Sequence, residues 1–177
     1  MIVVGIDPSL TSTGVAVIDT ESGEISAVRI ATKASGDDLA NRSRRIDAIA
    51  NVVLDTVLFC DVAAVEGPSY AQRHAGSAHD RSGLWWAITG SLVGYGSPVV
   101  EVPPTVRAKY ATGKGNAPKD AVMLAAAKRY PGADIDGNDT ADAVILAAIG
   151  ARLAGHPIDD PMPATHLAAL TKLRWPG

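Results

Sequence analysis

The chain has 177 residues, 47% hydrophobic and 20% charged, with a formal net charge of -3. That balance suits one globular domain with a sizeable core and excludes a disordered or fibrous chain. It also excludes recruitment to a polyanion by overall charge, so a nucleic-acid ligand would have to be drawn by local basic patches or bound cations. Cys60 is the only cysteine, closes the apolar run VVLDTVLFC and reads as a small buried hydrophobe in a reducing compartment. No apolar run is long enough to span a membrane, and the N-terminus enters a strand without the basic region of a signal peptide. The expected location is the cytoplasm.

In chain order, residues 1–7, 13–19 and 24–31 read as three strands separated by the turn-rich pieces PSLTS and TESG, an antiparallel meander. Over 37–59, Leu39, Ile46, Ile49, Val53 and Val57 recur at helical spacing, with Arg42, Arg44 and Asp47 elsewhere on the wheel. DVAAVEGP (61–68) reads as a short buried strand ending on Glu66. A helix is predicted over 79–95, a strand in SPVVEVPP, and a basic, glycine-containing stretch over 105–119. PKDAVMLAAAKRY forms the next helix, with Pro118 in its first turn. NDTADAVILAAIGARLAG forms the last, capped by Asn138 or Asp139 and ended by Gly155. The order predicts one α/β domain over 1–155, a mixed sheet with three antiparallel strands plus parallel strands, flanked by helices. Residues 156–177, with four prolines, read as a tail lying loosely on the surface.

Asp7 follows IVVGI and Glu66 follows VAAV, each where an apolar strand runs out. Open α/β folds place ligands at that edge, although either acid alone could be a turn residue or a cap. Asp139 and Asp142 are three apart and share a helix face in its first turn, where Asp139 could serve as a cap. Asp142 leads into AVILAAI, which must pack inward. Four carboxylates meeting in one pocket would repel one another and persist only around cations. Oxygen-only ligands select Mg²⁺ or Mn²⁺, and a pair of such ions, roughly 3.5–4 Å apart, supports in-line phosphoryl displacement. Gly14 would allow a close approach behind Asp7.

GIDPSLTSTG with Asp7, VEGPS with Glu66, and DTAD at 139–142 together resemble the RuvC-type Holliday junction resolvases of the ribonuclease H-like nuclease superfamily. The resemblance runs to about residue 154. It implies a ribonuclease H-like sheet, a homodimer, and metal-dependent paired nicking of four-way DNA junctions with two Mg²⁺ (or Mn²⁺) ions per active site. It assigns Asp7, Glu66, Asp139 and Asp142 as metal ligands and catalytic acids, Lys119 as a basic residue after the loop, Lys109 as an approximate match to a second lysine, and Tyr70 as the nearest match to a junction wedge.

Arg107, Lys109, Lys114 and Lys119 lie in an acid-free stretch whose Gly113 and Gly115 would let it follow a DNA backbone. Arg73, His74, His79 and Arg81 make a second basic stretch, with Arg73 the DNA-contact candidate; Arg42, Arg44 and Arg45 read as a solvated helix face. Trp85 and Trp86 are adjacent, so they point differently on a helix, and with Gly90 and Gly94 they suit either core packing or a dimer two-fold. Two other functions fit part of the pattern: a flap, fork or RNA–DNA hybrid nuclease of the same fold, and an actin- or sugar-kinase-type ATP-binding module. The second needs a glycine-rich adenosine loop where this chain carries DTAD.

Overall fold

The computed structural model describes residues 1–57, 59–68, 77–159 and 161–176. Five strands, β1 (Ile2–Asp7), β2 (Ser12–Asp19), β3 (Ile25–Ala31), β4 (Val62–Glu66) and β5 (Val99–Val102), form one sheet in the order β3-β2-β1-β4-β5. β1 pairs antiparallel with β2 and parallel with β4, and β4 pairs parallel with β5. The helices are α1 (Leu39–Val57), α2 (Ala78–Gly94), α3 (Pro104–Thr112), α4 (Lys119–Arg129), α5 (Asn138–Leu153) and α6 (Ala164–Leu167), followed by a 3₁₀ turn at Leu170–Lys172.

Strand periodicity decides which side chains meet which helices. Val4 and Ile6 of β1 and Ala63 and Val65 of β4 pack with α1 and α2. Ala16, Ile18, Ala64, Val100 and Val102 pack with α3, α4 and α5 on the other face. By the same alternation Asp7 and Glu66 belong to the α5 face, the one that carries Gly5 and Ala64. β1 is covered on both faces and reads as a continuous apolar run, whereas the edge strand β3 is half-exposed.

α5 is buried from Thr140 to Ala151 and lies unusually close to the sheet. A Cβ on Gly5 would stand 2.0 Å from the Ala143 carbonyl oxygen, and one on Gly14 would stand 2.0 Å from that of Asp139. The close approach expected behind Asp7 is therefore made by the α5 backbone.

Three expectations are corrected. The stretch 105–119 is not a loop throughout: Pro104 starts α3, which buries Val106, Tyr110 and Ala111 before the chain turns at Gly113. The cap of α5 is neither Asn138 nor Asp139. Both are helical, and the Thr140 hydroxyl instead accepts from the backbone N–H groups of Asp136 and Gly137. The C-terminal segment does not lie loosely, since Asp159 and Ala169 are buried.

Candidate active site

The parallel pairing of β1 with β4 brings Asp7 and Glu66 to the same sheet edge on adjacent strands. The approach of α5 over Gly14 places Asp139 and Asp142 beside them, on a separate element. Ser12, at the start of β2, donates its hydroxyl to Asp139 Oδ2 at 2.5 Å and orients that carboxylate. On β4's far side, the Trp85 indole N–H donates to the Glu66 carbonyl at 2.9 Å and steadies the strand end.

Arg107 of α3 is the centre of this constellation. Its Nε donates to Glu66 Oε2 and its Nη1 pairs with Asp142 Oδ1. All three side chains are largely buried: 9% exposed for Arg107, 15% for Glu66 and 4% for Asp142. An arginine expected to contact DNA phosphate is thus turned inward, where a guanidinium fork satisfies two acids at once. Removing a partner from such a buried pair leaves an uncompensated charge.

Burial pushes the Asp7 carboxyl up to about 7; Glu66 and Asp139 add to the rise, while Arg107 and Lys119 oppose it. Glu66 is also raised by burial, against the pull of Arg107 and Lys119. A carboxyl that is protonated in the fold but ionised when unfolded favours the folded state at low pH, and that contribution fades as pH climbs from about 4 to about 7. In chelator, the melting midpoint should therefore fall by several degrees between pH 5 and pH 8, as read by calorimetry. The lowered acids Asp19, Asp38 and Asp80 act in the opposite sense, but below pH 4.

The acids do not form a closed cage. Among the described residues no three of them stand together closely enough to hold an ion, with the Arg107 guanidinium inserted between two. Their chemistry nevertheless fits a hard divalent cation: the donors are all carboxylate oxygens, and a positive group already occupies the space between Glu66 and Asp142.

Of the basic residues, Lys119 opens α4 and is exposed, within electrostatic reach of Asp7 and Glu66. Lys114 is exposed on the turn after α3, and Lys109 is half-buried in its last turn. Tyr70, Arg73 and His74 lie outside the described residues. The inward role of Arg107 was missed because a basic residue in a basic stretch reads as solvated. The one available signal was its position three residues after the Pro-Pro start of a helix whose neighbours Val106 and Tyr110 are apolar.

A sequence model described as "Crossover junction endodeoxyribonuclease RuvC" matches residues 3–149. Curated proteins of that name are similar: one from Rhizobium rhizogenes is 33% identical over 161 residues, covering 86% of this chain and 90% of that one. One from Rickettsia bellii is 31% identical over 150 residues, covering 83% and 94%. Among solved structures, a Thermus thermophilus RuvC superposes with a TM-score of 0.68 at 21% identity, covering 88% of this chain and 98% of the other. A second, solved with a Holliday junction substrate, gives 0.66 at 19%. The shared fold is the ribonuclease H-like one anticipated above.

Proposed function

The chain belongs to the RuvC family of crossover junction endodeoxyribonucleases, and from that premise we propose that Asp7, Glu66, Asp139 and Asp142 form the hydrolytic centre with which it resolves four-way DNA junctions. The observation that carries this is the meeting of Glu66, from a strand end, and Asp142, from a helix, on one buried cation beside the raised Asp7 carboxyl. Nucleases of this family are metal-dependent, and the all-oxygen donor set favours Mg²⁺ or Mn²⁺. Asp7, Glu66, Asp142 and Asp139, the last oriented by Ser12, would be the residues that hold the metal. Such ions, when bound, supply an activated water and stabilise the leaving oxygen of the phosphodiester.

The chain's own groups do the rest. Arg107 sets the spacing of Glu66 and Asp142 and keeps their charge tolerable. Lys119, Lys114 and Lys109 offer positive charge to the DNA backbone, and Tyr70 and Arg73 are the further junction contacts of this reading. The nuclease domain spans 1–155 in this reading, with 156–177 as its C-terminal extension. Among the described residues no helix is long and apolar enough to cross a membrane, and the cytoplasm, where DNA and a free buried Cys60 coexist, is the location we favour.

A four-way junction is two-fold symmetric, and paired nicks call for two active sites. Trp86, Gly90 and Val93 follow one face of α2; Trp86 is 67% and Val93 61% exposed, and Gly90 has open space above it. Trp85 turns inward to the end of β4, where its indole N–H meets the Glu66 carbonyl, and its ring is edge-on to Trp86 with centroids 4.9 Å apart. A self-complementary contact of two such faces would form a homodimer. Trp86→Glu should yield a monomer by light scattering and lose paired nicking while single nicks persist.

The deciding experiment compares an immobile four-way junction, a flap, a fork, a linear duplex and an RNA–DNA hybrid, with Mg²⁺ and with chelator. Symmetric metal-dependent nicks confined to the junction are expected. Equal cutting of flaps, forks or hybrids would replace junction resolution with a broader nuclease activity.

A further inference from the structure

The carboxylate of Asp159, in the C-terminal segment, is wholly buried. It accepts from the Tyr110 hydroxyl at 2.8 and 3.0 Å, from the Tyr130 hydroxyl at 2.6 Å and from Arg152 Nη2 at 2.5 Å. Arg152 Nε donates in turn to the Tyr110 hydroxyl at 2.9 Å. One residue of the supposed tail thus ties together α3, α4 and α5.

The segment returns to α3 a second time. His166 of α6 places Nδ1 2.7 Å from the Tyr110 carbonyl oxygen. A carbonyl only accepts, so this nitrogen carries the proton. Arg129 donates to the same carbonyl at 3.3 Å and to that of Ala111 at 3.0 Å. The last carbonyls of a helix have no partner within it, and here they are satisfied from α4 and α6.

Directly beyond lies Gly113, at φ +80°, where the basic loop begins. The position its Cβ would take is 3.2 Å from His166 Nε2 and 3.5 Å from Thr165 Oγ1, so α6 rests against the loop's hinge. Farther along, the position a Cβ would take on Gly115 is 3.1 Å from the Thr105 carbonyl oxygen. Both ends of α3 therefore bear on the loop that carries Lys114 and leads to Lys119.

We propose that the C-terminal segment is a brace that positions the 113–118 loop for the DNA backbone, with His166 as the positioning residue at its point of contact. The inference rests on the reading of that loop as DNA-facing. It gives residues past the end of the family match at 149 a part in substrate binding.

The test measures binding of a labelled four-way junction in chelator, by anisotropy, between about 50 and 200 mM salt. His166→Ala should weaken binding about fivefold to tenfold and flatten the salt slope by about one phosphate contact, a change near 0.9 in the logarithmic slope. The turnover rate at saturating junction should be unchanged. His166→Asn, whose amide N–H can reach the Tyr110 carbonyl, should restore affinity and slope, which a general loss of stability would not allow. If His166→Ala does not fold at assay temperature, Tyr130→Phe, which removes one of the bonds to Asp159, is read in the same way. Lys114→Gln separates the two readings. If it weakens binding while the brace variants bind with unchanged affinity and slope, the brace is overturned. If Lys114→Gln itself changes nothing, the DNA-facing loop fails and the brace with it.

Discussion

Replacing Asp7 by Asn should abolish junction cleavage while leaving junction binding intact and the fold no less stable. The change keeps the shape of the side chain and removes the charge. In the proposed reading binding draws on the positive charge of Lys114, Lys119 and their neighbours and not on the acids, so it should persist. If Asp7 helps hold the proposed metal, its loss forfeits much of the several kcal/mol of charge stabilisation a bound ion gives the transition state, and about 4 kcal/mol corresponds to about a thousandfold in rate. Stability should move the other way. Asp7 sits in a buried place beside Glu66 that holds its carboxyl near 7, so at pH 8 the folded chain carries a charge it disfavours, and Asn relieves it. Cleavage, anisotropy and melting at pH 8 in chelator read all three. Loss of binding together with cleavage, or a lower melting midpoint, would contradict this division of labour.

The second large effect is Gly5→Ala. Its methyl would meet the Ala143 carbonyl oxygen at 2.0 Å and the Ala147 amide nitrogen at 2.3 Å. Both are backbone atoms of a buried helix, with no rotamer to escape into, so α5 must lift from the sheet. Overpacking costs typically 1–3 kcal/mol where side chains can adjust. Here the cost should be at least about 3 kcal/mol, a large share of a total stability of about 5–15 kcal/mol. Gly14→Ala meets the Asp139 carbonyl in the same way and should also displace Asp139 from the site. Gly83→Ala is the control: it meets only the Ile46 Cδ1 methyl at 3.4 Å and gains roughly 0.5–1 kcal/mol of helix propensity. Denaturant midpoints of the three variants separate these outcomes. A Gly5→Ala protein as stable as the parent would refute the tight packing of α5.

What the sequence determined by itself was the set of acids and the strands that deliver them. A run such as IVVGID states its own burial, because a continuous apolar strand needs cover on both faces, and an acid at its end is out of place in any core. The helical repeat of α1 was legible in its spacing, and α5 in its apolar run ended by Gly155. Periodicity says which face is buried, however, and not what covers it. Only the tertiary structure decided that Gly5 and Gly14 face a helix backbone, that Arg107 turns inward to Glu66 and Asp142, and that Asp159 docks among Tyr110, Tyr130 and Arg152. A buried charge and a solvated one are written with the same letter. They differ only in whether a partner from a distant part of the chain arrives to compensate the lost water, and that arrival is a property of the fold.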